Sequence, residues 1–217
     1  MTRGAWALLA LATMSLHGAA RATIAPDVFA HPATPKEVLA LTASATGPLA
    51  DARVVRGEFT QRRFLAELPK PIESSGAFIF ARDRGILWRT YKPFASQVVL
   101  SEDGLMLQDE GAATVSVGAE PAMRFVAQVF FALFSLDIDA LAADFALFGT
   151  HTDHGWSIGL EPRSAVLRAV FQRARIDGAG RAERVVLEDA YGDHTEILLQ
   201  GVRYEAAPLP PAEAALF

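Results

Sequence analysis

The sequence contains no cysteine, and this absence excludes several classes of protein at once. Among its 217 residues there can be no disulfide, cysteine-ligated zinc, iron–sulfur cluster or thiol nucleophile, and the chain cannot be acylated on a cysteine of its own. Basic residues are few and scattered, with Lys and Arg totalling 20 against 25 for Asp and Glu. Because no basic stripe could follow a phosphate backbone, nucleic-acid binding is disfavoured.

The N-terminal segment is apolar but too short to cross a membrane. Residues 5–16 form an apolar run, whereas a spanning helix needs ~20 such residues. The run follows Arg3 and precedes Ala20-Arg21-Ala22, which is the pattern of a secretory signal cleaved after Ala22. We therefore predict that residues 1–22 are a signal peptide and that residues 23–217 form a single exported domain. A membrane anchor is the weaker alternative.

Strand periodicity dominates the rest of the chain, which is 51% hydrophobic. Val55, Gly57, Phe59 and Gln61 alternate with polar neighbours, which is typical of a strand with one buried face. Glycine-containing turns separate further short runs, which predicts an antiparallel meander. These runs are residues 76–81, 86–91, 97–100, 105–108, 114–117, 156–160, 174–176, 184–187 and 196–204.

Two segments have helical patterns. Thr34-Pro35-Lys36-Glu37 has the form of a capping box, so a helix is predicted to begin there and to end before Gly47-Pro48. Residues 121–148 are apolar nearly all round and predict two helices, with Asp137 as the N-cap of the second. This helical insert could be a core element under the sheet, or a lid with one side on the sheet and the other facing an apolar ligand.

Several motifs, taken in order, resemble those of the periplasmic outer-membrane lipoprotein carrier family, the LolA-like proteins. They are Phe59-Thr60-Gln61, the strand Gly76 to Arg82, Trp88, Pro93 and Trp156. The resemblance covers most of the predicted mature chain. It implies an incomplete, strongly curved antiparallel β-barrel closed by a helical lid, enclosing an apolar cavity for the acyl chains of lipoproteins, without catalysis or cofactor.

The resemblance also implies roles for particular residues. Arg82 occupies the position of a family arginine that hydrogen-bonds the lid and holds the empty cavity shut, although Asp83 follows it where well-known members have proline. An exposed charge at a hairpin end is the alternative for Arg82. The residues predicted to line the cavity are Phe59, Phe78, Phe80, Trp88, Val129, Phe130 and Leu133.

The implied function is a periplasmic shuttle that receives lipoproteins from an inner-membrane exporter and delivers them to an outer-membrane receptor. A related carrier of another lipid, an acylated polyene or a glycolipid is an open alternative. A metal-dependent hydrolase would need ligands from His151-Thr152-Asp153-His154, which more simply form a polar turn. A passive envelope scaffold would require the helical insert to be packed with no cavity behind it.

Overall fold

A computed structural model of the protein describes residues 27–101, 104–109, 115–117, 138–169 and 171–217. It is mainly β. The strands are β1 (Val54–Phe64), β2 (Ile72–Ala81), β3 (Gly85–Lys92), β4 (Ser96–Ser101), β5 (Gly104–Asp109), β6 (Val115–Val117), β7 (Phe145–Thr152), β8 (Gly155–Pro162), β9 (Phe171–Gly178), β10 (Ala182–Asp189) and β11 (His194–Glu205).

All these strands belong to one antiparallel sheet, in the order β6-β5-β4-β3-β2-β1-β11-β10-β9-β8-β7. Consecutive strands pair with each other within β1 to β6 and within β7 to β11, and the pairing of β1 with β11 joins these two groups. Within the described residues the sheet is not closed, because β6 and β7 are its two edge strands. The predicted antiparallel, incomplete architecture is confirmed to this extent, while the predicted lid and cavity depend on residues outside the described ranges.

One face of the sheet carries the core. The register aligns apolar side chains across strands, as in the pairs Val55↔Phe80 and Phe59↔Leu199. The predicted alternation of β1 is confirmed from Val55 to Phe59, since Val55, Gly57 and Phe59 are buried while Arg56 and Glu58 between them are less so. We call this surface the inner face.

Two N-terminal helices pack on the inner face. The capping box is confirmed: α1 (Pro35–Leu41) begins after Thr34, whose hydroxyl accepts from the Glu37 amide while the Glu37 carboxylate accepts from the Thr34 amide. A second helix, α2 (Ala43–Ala50), follows directly. Buried residues continue from one helix to the next at spacings of three and four, namely Val38, Thr42, Ala45, Leu49 and Ala52.

The prediction that helical structure ends before Gly47-Pro48 was therefore wrong, because α2 includes both residues. Burial of Ala45 and Leu49 against the sheet outweighs the low helix propensity of this pair. The first helix does end where a polar residue interrupts it. Thr42 is buried, and its hydroxyl donates a hydrogen bond to the Val38 carbonyl at 2.9 Å.

The end of the helical insert differs from the prediction. Its described part contains α3 (Ile138–Asp144), which begins one residue after the predicted N-cap; Asp137 itself lies outside the described residues. Strand β7 then starts at Phe145, so the prediction of helix through residue 148 was wrong. The apolar residues of this segment could be buried in a helix or in a strand. Pairing with β8 favours the strand, in which Phe145 and Leu147 are buried.

The segment before α1 covers the edge of β7. A short 3-10 turn (Val28–Ala30) packs on β7 and β8, and Phe29 meets Phe148 edge-to-face at 5.5 Å. Two backbone hydrogen bonds then tie this segment to β7, from Ala33 N to Leu147 O and from Gly149 N to His31 O. The chain thereby blocks an edge that would otherwise offer free amides to another strand.

The C-terminal segment lies on the opposite, outer face. A short helix, α4 (Ala165–Arg168), connects β8 to β9, and the last helix is α5 (Pro211–Ala214). Glu213 of α5 and Glu205 both bind Arg56 of β1, at 3.0 and 2.8 Å. These contacts raise the pKa of Arg56, chiefly through the hydrogen bond that Arg56 donates to Glu213, and burial partly offsets them. No helix among the described residues is long and apolar enough to span a membrane.

Candidate ligand-binding face

Four of the predicted cavity residues come together on the inner face. Phe59 and Trp88 stack with ring centroids 3.8 Å apart and planes inclined by 26°, and Phe78 lies parallel to Trp88 at 6.0 Å. Phe80 is on the same face, opposite Val55 and Ile86 in the neighbouring strands. Phe59, Phe78 and Phe80 are buried, whereas Trp88 is half-buried. That these four residues contact a ligand stays a prediction, whereas their grouping on one face is observed in the fold.

Glycine in the neighbouring strand makes room for two of these rings. Gly76 pairs with Phe59, and a Cβ at position 76 would lie 2.9 Å from the Phe59 ring and overlap the carbonyl oxygen of Arg89. Gly57 pairs with Phe78, and a Cβ there would lie 2.9 Å from that ring. The rings therefore lie flat across the glycines. Sequence reasoning placed both glycines on this face without seeing that they determine where the rings go.

The inner face changes in polarity along β1 to β4. Towards the turn between β2 and β3 it carries buried aliphatic residues beside Phe80, including Val55, Ile86 and Leu100. Towards the opposite end the positions in register are Gln61, Ser74, Thr90 and Ser96, which are half-buried. An apolar chain on this face would thus contact hydrocarbon and aromatic surface at one end and a polar border at the other.

Arg82 closes the apolar end. It lies just after β2, and its guanidinium donates to the carbonyls of Leu49 and Ala52, both at 3.2 Å. These carbonyls are at the C-terminal end of α2, where a cation is favoured by the helix dipole. Among the ion pairs of the described residues none joins Arg82 to Asp83, the neighbour that could have competed for it. Arg82 therefore fastens α2 to the β2–β3 turn.

The remaining predicted cavity residues cannot be placed on this face. Val129, Phe130 and Leu133 lie outside the described residues, as does most of the predicted lid. What the structure adds is that α2 also covers the inner face, with Ala45 and Leu49 in the same buried cluster as Phe59, Phe78 and Phe80. The sequence does contain a signal for α2, because residues at helical spacing continue beyond Thr42 to Ala45 and Leu49. The Gly47-Pro48 pair obscured this signal.

The residues considered for a metal site form a hairpin turn. His151 is in β7, and Asp153 and His154 make the turn to Gly155 of β8, so the polar turn predicted there is confirmed. In the described part of the chain, no three His, Asp or Glu side chains are grouped so that they could hold a metal ion.

Comparison with known proteins identifies the family. The family model described as outer membrane lipoprotein carrier protein LolA matches residues 50–212. Among solved structures, a LolA superfamily protein from Nitrosomonas europaea is 11% identical, with 77% of this chain and 96% of that chain covered and a TM-score of 0.44. A DUF1329 family protein from Desulfovibrio piger is 12% identical, with 82% and 96% covered and a TM-score of 0.46.

The complex of MucA and MucB from Pseudomonas aeruginosa is also similar, at 11% identity, with 83% of this chain and 59% of that chain covered and a TM-score of 0.35. A search of curated protein sequences finds no significant match. The family match extends from the end of α2 to α5 and so includes β1 to β4, Arg82 and the aromatic cluster formed by Phe59, Phe78 and Trp88. This chain belongs to the LolA family of outer membrane lipoprotein carrier proteins.

Proposed function

We propose that this protein is a periplasmic carrier that holds the acyl chains of lipoproteins on its inner face and shuttles them toward the outer membrane. The observation that carries the proposal is the aromatic cluster of Phe59, Phe78 and Trp88, on a face whose apolar end is covered by a helix that Arg82 ties to the β2–β3 turn. Family membership supports the same function.

The physical need for such a face is the cost of moving an acyl chain through water. Each CH₂ exposed costs ~0.8 kcal/mol, so a fatty-acyl chain costs on the order of ten kcal/mol. Aromatic and aliphatic surface can offset that cost without leaving polar groups unpaired. The inner face offers such surface from Phe80 to Trp88.

Release requires that something compete with the ligand for the same surface. Helix α2 is placed to do so, because Ala45 and Leu49 pack into the cluster that contains Phe59 and Phe80. In this proposal the two hydrogen bonds of Arg82 bias the competition towards the covered state. Val129, Phe130 and Leu133 of the predicted lid would contribute further ligand surface.

Export and delivery complete the proposal. The segment of residues 1–22 would be removed on export, an inner-membrane exporter would supply the cargo, and an outer-membrane receptor would accept it. The chemistry is binding alone, with no reaction at Arg82 or at the aromatic cluster. The cargo class is an acylated amphiphile, of which a lipoprotein is the form that the family description names.

The test is native mass spectrometry of the processed protein isolated from periplasm without detergent, followed by solvent extraction of any bound mass. We expect a bound acylated species, and fluorescent acyl-probe binding that weakens in Trp88→Ala. Tyr191→Ala is the matched control, since Tyr191 is an exposed aromatic residue of the β10–β11 turn and not of the strands that carry the aromatic cluster. An acylated peptide would identify lipoprotein cargo and a bound glycolipid or polyene a related carrier. An unliganded mass without probe uptake would contradict the carrier function.

A further inference from the structure

Four large apolar side chains are exposed in two neighbouring hairpins at one end of the sheet. Leu68 and Ile72, in or beside the β1–β2 loop, are 47% and 48% exposed, and Tyr91 and Phe94, in or beside the β3–β4 loop, are 54% and 81% exposed. We call these four residues the apolar rim. Tyr191 of the β10–β11 turn, at the same end of the sheet, is 85% exposed. Away from this end, the exposed large hydrophobics of the described residues are 38% exposed or less; they are Leu39, Leu198 and Leu216.

The strand register brings the rim together. Ser75↔Lys92 is the last pair between β2 and β3, and both Ile72 and Phe94 lie beyond it on the same side. The β1–β2 and β3–β4 hairpins are two strand spacings apart, about 10 Å from centre to centre. Four apolar side chains at the tips of neighbouring hairpins therefore form one patch, which exceeds the scatter of single exposed hydrophobics that is normal on a surface.

The two hairpins that carry the rim have an excess of positive charge, although the chain as a whole carries a net charge of −5. Arg63, Lys70 and Lys92 are exposed in the same two hairpins. Of the acidic residues there, Glu73 is bound to Arg62 at 3.1 Å, and Glu67 is the other. Within these two hairpins cations thus outnumber acids, and they flank aromatic and aliphatic side chains. The adjoining β10–β11 turn carries the acidic residues Asp189 and Asp193, and Asp193 accepts a hydrogen bond from the Ala66 amide.

We propose that the apolar rim docks on the surface of an anionic phospholipid bilayer. Aromatic side chains are enriched where a protein meets the headgroup layer, and neighbouring Lys and Arg add attraction to anionic lipids. The rim is built of projecting hairpin tips, which can enter a headgroup layer. It lies at the polar border of the inner face, opposite the end that Arg82 closes. The proposal concerns the bare protein and does not depend on what the inner face carries.

Vesicle sedimentation tests the proposal directly. The chain from Thr23 onward contains every described element and lacks the apolar residues 5–16, which could bind a bilayer by themselves. We expect it to sediment with vesicles of equal parts phosphatidylcholine and phosphatidylglycerol, and much less with phosphatidylcholine alone or at high salt. Phe94→Ser should weaken binding about tenfold, and Lys70→Ala and Lys92→Ala about fivefold each. Leu198→Ser, an exposed apolar residue on the outer face, should leave binding unchanged.

Site-specific labelling provides a second readout, because the chain has no cysteine of its own. A polarity-sensitive fluorophore on Phe94→Cys should shift to the blue on anionic vesicles, and the same label on Leu198→Cys should not. Equal binding to neutral and anionic vesicles, or wild-type binding by Phe94→Ser, would overturn the proposal. Binding that appears only when a membrane protein is present in the vesicles would also overturn it and assign the rim to a protein partner.

Discussion

Replacing Arg82 by leucine tests whether the tie to α2 controls ligand exchange. The substitution removes two hydrogen bonds from a cationic group to the carbonyls of Leu49 and Ala52. Such bonds contribute ~1.5–3 kcal/mol each when buried, but the Arg82 side chain is largely exposed and solvent weakens them. We therefore expect a total of about 1 kcal/mol. That is about a fivefold change in the ratio of covered to uncovered inner face.

The assay measures two quantities with one fluorescent acyl probe. Arg82→Leu should bind the probe up to about fivefold more tightly, because α2 competes less well, and should pass it more slowly to acceptor vesicles. The melting temperature should fall by about 2–4 °C.

Arg84→Leu is the matched control for this substitution. Arg84 lies in the same turn, but its guanidinium donates to the Ala214 carbonyl of the C-terminal segment instead of to α2. It should therefore leave affinity and transfer unchanged. Wild-type affinity and transfer in Arg82→Leu would remove Arg82 from the mechanism. Equal effects of both variants would show a general response of the turn and refute the specific tie.

Three further predictions test other parts of the reasoning. Trp88→Ala should lower the free energy of unfolding, measured in urea, by about 2 kcal/mol. This is roughly half the loss for a fully buried aromatic residue, because Trp88 is half-buried and stacks on Phe59. An unchanged midpoint of the urea transition would contradict the stacking argument. Gly76→Ala should destabilise by ~1–3 kcal/mol, because the added Cβ would overlap the Arg89 carbonyl oxygen. Gly180→Ala, where an added Cβ meets nothing within 4 Å, should change the stability by less than about 0.5 kcal/mol; equal effects would refute the packing. Burial raises the pKa of Tyr204, so the folded state binds this proton more tightly than the unfolded state does. The stability should therefore fall as the pH rises above about 10. Tyr204→Phe should remove this part of the fall in melting temperature with pH.

The strand pattern was predictable because it depends on neighbours in the sequence. Alternation along β1 and the glycine turns after Ala81 and before Trp156 determine where strands run and which side is buried, and the structure agrees at these positions. The capping box at Thr34 is equally local. The pairing of β1 with β11 has no local signal and was not predicted, since the family resemblance implied an incomplete antiparallel barrel without naming which strands pair.

The two errors arise where tertiary contacts outweigh local preference. Helix α2 tolerates Gly47 and Pro48 because Ala45 and Leu49 are buried against the sheet. Residues 145–148 are apolar enough for a helix, but β8 offers a ladder of hydrogen bonds from Phe145 onward. In both places the sequence alone leaves helix and non-helix nearly balanced, and the partner surface, which periodicity cannot reveal, decides the outcome.

In the proposed carrier, the two ends of strands β1 to β4 have different roles. At one end Arg82 holds α2 over buried aliphatic surface, so this end resists entry of water and of ligand. At the other end the inner face meets a polar border, and the apolar rim with Lys70 and Lys92 projects beyond it. An amphiphile entering there would keep its head near the polar border while its chain slides along Trp88 and Phe78 towards Phe80. Displacing α2 would then be the last step of loading, and its return, favoured by Arg82, the first step of release.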